Sequence, residues 1–96
     1  MSQVIFAPEA LLDLKRLREF LRQRNALSAK SAAVAITNAV KILGQPPKVG
    51  RPSGNMADEY RELLIEFGDS GYIALYQFED ERVTILALRR QKEVGY

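Results

Sequence analysis

The stretch YRELLIEFGDSGYIALYQFEDERVTILALRR, residues 60–90, decides the fold. Leu63, Ile65 and Phe67 alternate with Glu62, Leu64 and Glu66, the period of a strand with one buried face. GDSG, 68–71, reads as a turn, and Tyr72–Phe78 as the next strand. FEDER, 78–82, reads as a second turn, and Val83–Arg89 as a last strand. Connections this short join antiparallel neighbours, so the three strands form a meander.

Upstream the period changes. QPPKVGRPSGNMADEY, 45–60, is a long Pro- and Gly-rich connection, and before it apolar residues recur at helical spacing. Leu11, Leu12, Leu14, Leu17, Phe20 and Leu21 form a wide stripe behind Pro8, which suits the first position of a helix, with Glu9 complementing the dipole. This first helix should run about 17 residues, roughly 25 Å, and close at Asn25. Ser28 or Ser31 can cap the next helix. In it Ala32, Ile36, Ala39, Val40 and Leu43 face the core, and Gly44 with Pro46-Pro47 ends it. SQVIF, 2–6, is a short β-prone start. Neither flank of the long connection can bury its apolar face alone, so residues 1–96 are one domain. The expected class is α+β: an N-terminal short strand, then an antiparallel helical hairpin packed on a C-terminal antiparallel three-stranded meander, β-α-α-β-β-β. Leu14, Leu17 and Ile36 should lie together against Leu63, Ile65 or their sheet neighbours.

Composition narrows the chemistry. The chain has no Cys and no His, which excludes thiol nucleophiles, Ser-His-Asp arrangements and His- or Cys-ligated metals. No Gly-rich phosphate loop is present, and no metal or cofactor is expected. No run of about eighteen apolar residues stands out as a membrane span, and the N-terminus lacks the pattern of a signal peptide, so the cytoplasm is the expected compartment. The net charge of +2 hides an asymmetry: residues 1–50 hold eight Lys/Arg against three Asp/Glu, and residues 51–96 hold six against nine. A basic half suits polyanions or an acidic protein partner.

Four phrases, GRP at 50–52, YREL at 60–63, GYIALYQFEDERV at 71–83 and the ending ILALRRQKEVGY at 85–96, occur in an order and spacing that resembles the RelE/ParE superfamily of bacterial toxins. These belong to type II toxin–antitoxin modules, some of which stabilise plasmids. The resemblance covers essentially the whole chain. It implies a toxin neutralised by a cognate antitoxin, with either of two targets: DNA gyrase for ParE-like members, or mRNA on the ribosome for RelE-like ones.

The ribonuclease alternative needs a base, cations at the phosphate and an acid for the leaving oxygen. By the resemblance those roles fall to Arg61, Arg90, Lys92 and Tyr96. Against it, Ile73 stands where RNA-cleaving relatives carry an arginine, and Arg-Arg at 89–90 replaces an Arg-His pair. The ParE-like alternative uses a basic exposed hairpin face, Arg16, Arg18, Arg22 and Arg24, with Arg89 and Arg90, to dock on an acidic protein, and it is the reading favoured. A retained fold that serves mainly as an antitoxin's partner is the third possibility. Simpler roles are also open. Arg61 can pair with Glu62 or Glu79, Arg51 can anchor its loop, and Tyr72 and Tyr76 can be core. Arg89 and Arg90, being adjacent on a strand, should point to opposite sheet faces.

Overall fold

A computed structural model describes residues 3–44, 50–52, 57, 59–67 and 70–91. A first strand β1 (Gln3–Phe6) leads into helix α1 (Pro8–Arg22) and helix α2 (Ala26–Lys41), which runs on as a 3-10 turn, Ile42–Gly44. Strands β2 (Arg51–Pro52), β3 (Tyr60–Phe67), β4 (Ser70–Glu79) and β5 (Arg82–Arg90) follow. The β3-β4-β5 meander is present as expected, and it is extended at both ends. β1 pairs in parallel with β5, β2 pairs antiparallel with β3, and the order is β1-β5-β4-β3-β2. The two-residue β2 lies within the segment expected to be loop, too short to leave a periodic signal.

Both helices cover one face of this sheet. The buried row of α1 runs through Ala10 and Leu17, with Leu14 and Leu21 packed beside it. Steps of four, three and four residues keep these positions on one side of a helix. Leu11 and Leu12 fall off that row and are 53% and 67% exposed, so the expected leucine stripe is narrower than its composition suggests. α2 contributes Ala29, Ala32, Ile36 and Val40, followed by Leu43. The sheet answers with Ile65, Tyr72, Ala74, Tyr76, Val83, Ile85 and Leu88. Leu14, Leu17 and Ile36 share this core with Leu63 and Ile65, as the periodicity requires.

The helix boundaries differ from expectation in one respect. α1 has 15 residues, with Pro8 in its first turn. Asn25 does not simply close it: its side chain accepts hydrogen bonds from the amides of Leu27 and Ser28 and caps α2. Neither Ser28 nor Ser31 is the cap, because both already lie inside α2. Pro46 and Pro47 lie outside the described residues. The helical segment Ala26–Gly44 has the length and mean hydropathy, 1.2, of a membrane span, although Lys30, Asn38 and Lys41 interrupt it and it holds no continuous apolar run. Its Ala32, Ile36, Val40 and Leu43 row is nevertheless committed to the core of the sheet domain.

One irregularity sets the chemistry of the sheet's end. Leu75 pairs with Ala87 and Tyr76 with Ile85, so Leu86 is an extra residue in β5. This bulge switches the inward set from Val83 and Ile85 to Leu88 and Arg90.

Candidate functional site

Three clusters of basic side chains flank the sheet, each fixed by a different kind of contact. The first surrounds Gly50. Arg61 pairs with Tyr76 across β3 and β4, so both lie on the helix-facing side. The Tyr76 hydroxyl, fully buried, accepts the Gly50 amide at 3.0 Å, and Arg61 Nη1 donates to the Gly50 carbonyl at 2.8 Å. A Cβ at Gly50 would lie 2.6 Å from both the Glu62 carbonyl oxygen and the Tyr76 hydroxyl. Glycine is required here by close approach. Burial pushes the Tyr76 hydroxyl above its usual pKa, while the Gly50 amide and the Arg61 charge pull the other way. Arg61 is therefore bound to backbone, and Glu62 pairs instead with Arg51, at 3.1 Å on the surface.

The second cluster closes the β5 edge. β1 ends at Phe6 opposite Ile85, and among the described residues no strand pairs with the last part of β5 on that side. Asp13 of α1 fills the gap: its carboxylate accepts the Leu88 amide at 3.0 Å and also pairs with Arg89. Arg89 starts on the outer sheet face opposite Ile73 and curls round the edge to reach it.

The third cluster lies where α1 ends. Arg24 and Arg90 each place a guanidinium over the ring of Phe20, at 4.5 and 4.3 Å from the centroid. Arg90 sits opposite Tyr72, whose hydroxyl is pushed up by burial and drawn partly back by the Arg90 charge. Tyr72 in turn packs on Phe67, with ring centroids 6.0 Å apart. Arg89 and Arg90 do leave from opposite faces, yet both finish on α1.

The expected hairpin arginines are exposed, but they do not share one face. At 100° per residue Arg18 and Arg22 lie together, Arg16 lies across the buried row from them, and Arg24 is beyond the helix. Arg22 makes an exposed ion pair with Glu19 at 2.8 Å, worth little in water. Beside Arg18, Leu11, Leu14, Lys15 and Glu19 line a shallow open groove on α1.

The ribonuclease set is not brought together among the described residues. Arg61 is level with Tyr76 and Arg90 with Tyr72, about 13 Å apart along the strand direction at ~3.3 Å per residue. Lys92 and Tyr96 lie outside the described residues. On the opposite, outer sheet face the neighbouring rows are Glu62–Leu75–Ala87 and Leu64–Ile73–Arg89, and the Arg89 guanidinium turns away from that face to Asp13. No group of three or more potential metal ligands occurs among the described residues. Asp13 is not among the residues expected from the sequence, and Phe20 is expected only as part of the apolar stripe. Their only signal was an acid lodged beside the apolar row of α1 and an aromatic at the edge of its stripe.

The family model for the ParE toxin of type II toxin–antitoxin systems, parDE, matches residues 4–95. Toxin RelE3 of Caulobacter vibrioides is 34% identical over 94 residues, covering 97% of this chain and 98% of that protein. The fold is similar to that of the chromosomal ParDE system from P. aeruginosa, with a TM-score of 0.76 at 21% identity over 94% of this chain and 96% of the other. The intact E. coli RelBE toxin–antitoxin complex gives 0.64 at 14% identity, over 97% and 100%. With the match running almost from end to end, the chain belongs to the ParE toxin family of type II toxin–antitoxin systems, within the RelE/ParE superfamily.

Proposed function

We propose that this toxin acts by binding and inhibiting DNA gyrase in the cytoplasm, and that a cognate antitoxin neutralises it. The observation that carries the target is the composition of the outer sheet face. By the family resemblance Ile73 stands where RNA-cleaving relatives carry an arginine, and Leu64 and Leu75 flank it on the same face. The nearby arginines are engaged elsewhere: Arg61 with Gly50, Arg89 with Asp13 and Arg90 with Phe20. Metal-free RNA cleavage depends on several cations converging on one phosphate, and this arrangement disperses them. The basic residues at the end of α1 instead suit contact with an acidic protein.

The antitoxin reading rests on α1 and on the relatives. Leu11 and Leu12 stay exposed beside a groove lined by Lys15 and Arg18, a surface that an extended or helical partner segment can cover. The P. aeruginosa ParDE and E. coli RelBE structures, which this fold is similar to, are of toxin–antitoxin systems.

The deciding experiment measures two activities of the purified toxin in parallel. Gyrase supercoiling should be inhibited, and mRNA on translating ribosomes should stay intact. Ribosome-dependent cleavage that is abolished by Arg61→Ala, Arg90→Ala and Tyr96→Phe would replace the gyrase reading with the ribonuclease one. Co-expression with the antitoxin should restore growth and yield a stable complex.

A further inference from the structure

Leu27, Val34 and Ile42 stand 76%, 51% and 57% exposed along α2 and its 3-10 extension. At 100° per residue they fall, with the exposed Ser31 and Asn38, within about 80° of one another. This line runs opposite the buried row of Ala32, Ile36 and Val40. Its order is palindromic: apolar Leu27, polar Ser31, apolar Val34 and Ala35, polar Asn38, apolar Ile42. We propose that this face docks on a second copy of itself, α2 lying antiparallel to its mate about a two-fold axis between Val34 and Ala35. The inference goes beyond the target reading and holds whichever target the toxin has.

In that register Leu27 meets Ile42 of the second copy, Ser31 meets Asn38, and Val34 meets Ala35. Each apolar residue is set against an apolar one, and the Ser31 hydroxyl can exchange hydrogen bonds with the Asn38 amide. A two-fold contact requires this reciprocity, because whatever one position finds in another is returned. The small side chains at 31 and 35 let the backbones approach. An asparagine on the seam also disfavours shifted registers, which would bury its amide against apolar groups.

Other occupants match fewer positions. An acidic helix is drawn to Lys30 and Lys41, which border the line on one side, but nothing in the line itself selects it. A lipid surface favours a broad apolar face with aromatic residues. This line is narrow, is interrupted by Ser31 and Asn38, and α2 has no aromatic residue. Self-matching does carry a repulsion. The two-fold keeps Lys30 and Lys41 on the same side in both copies, so four ammonium groups gather along one rim. No acidic residue occurs from Ala26 to Gly44 to offset them. The contact is about 22 Å long and ~10 Å wide, short of the ~800 Å² per partner of a standard interface. The dimer is therefore weak, with a dissociation constant on the order of tens of micromolar. It tightens as salt screens the lysine rim, the opposite sign to an association of unlike charges.

The test is sedimentation of the purified full-length toxin from about 5 to 500 µM, with disulfide trapping to read the register. The chain has no cysteine, so single introduced thiols report cleanly. Val34→Cys lies at the two-fold and should cross-link to itself on oxidation. Leu27→Cys should not, because its copy lies about 22 Å away along the axis. An equimolar mixture of Leu27→Cys and Ile42→Cys should give the mixed dimer. Raising NaCl from about 50 to 500 mM should tighten the wild-type dimer severalfold, and Lys30→Gln with Lys41→Gln should remove most of that dependence. Val34→Lys, at an exposed position, should weaken the dimer about tenfold or more. Self-cross-linking of Leu27→Cys as fast as that of Val34→Cys would overturn the antiparallel register. A dimer that loosens with salt would overturn the apolar contact. A toxin that stays monomeric throughout would overturn the dimer outright. In that case a weakened antitoxin complex with Val34→Lys would assign the face to the antitoxin, and binding to phosphatidylglycerol vesicles would assign it to lipid.

Discussion

At the scale of single residues, the side chain that organises most is Tyr76. It is fully buried, yet its one polar atom is satisfied by the Gly50 amide. Tyr76→Phe keeps the ring's packing and removes the hydroxyl that accepts the Gly50 amide. The expected loss is about 1–3 kcal/mol in a denaturant titration. A change near zero would mean that the amide finds another partner. Glu79 makes a second case, governed by repulsion. The neighbouring Glu59 carboxylate, by its charge and by a hydrogen bond to the protonated form, raises the Glu79 pKa, with smaller contributions from desolvation and Asp80. Because the folded-state value is raised, protonation favours the fold. That contribution is complete below the ordinary carboxylate range and is lost as pH rises through the raised value. Glu79→Gln should therefore raise the melting temperature slightly at neutral pH, with the gain shrinking on acidification. A gain that grows as pH falls would contradict the assignment. The effect is small, since the group is exposed and screened.

At the scale of elements, the hairpin depends on one cap. Asn25 accepts from two amides of the first turn of α2, and Asn25→Ala should cost about 0.5–2 kcal/mol with no change in the folded topology. Thermal unfolding followed by circular dichroism would measure it. This cap was hard to read because Asn25, Ser28 and Ser31 are all good capping types within seven residues. Only the place where the chain turns selects among them. The core rows were legible wherever large residues kept a strict period, as with Leu14, Leu17 and Ile36, or Ile65 and Phe67. Where small and large residues competed, the period misled. Ala10 is fully buried and Leu11 is not, since the row is set by angle and not by side-chain size. The bulge at Leu86 was beyond reach for the same reason. ILAL, 85–88, is apolar at every position, so no alternation records the slip that turns Arg90 inward. The candidate site suffered most from this. Its residues could be named, but the stacking of two of them on Phe20 depends on that slip and on where α1 ends.

At the scale of the whole molecule, the helical layer and the sheet contribute to one core cluster. Leu17 and Ile36 from the helices and Ile65 and Leu88 from the sheet are all nearly inaccessible to solvent and belong to one cluster. Removing the Leu17 side chain beyond Cβ leaves a cavity between layers, and Leu17→Ala should cost about 2–5 kcal/mol. A domain of this size has about 5–15 kcal/mol in total, so the variant keeps only part of its margin. Cooperativity makes a sharper test than the loss itself. The helices report through far-ultraviolet circular dichroism. The sheet reports through tyrosine fluorescence, since Tyr72 and Tyr76 are buried in β4 and the chain has no Trp. For a single shared core, both signals should move to the same lower midpoint with an unchanged slope. Helical signal lost ahead of the tyrosine signal would show that the hairpin can detach from the sheet. The consequence for function follows from Phe20, which lies one turn beyond Leu17 on the same helix and holds Arg24 and Arg90 together. Loosening α1 should weaken target inhibition in proportion to the fraction unfolded. Under conditions where the variant remains fully folded, inhibition should return to the wild-type level.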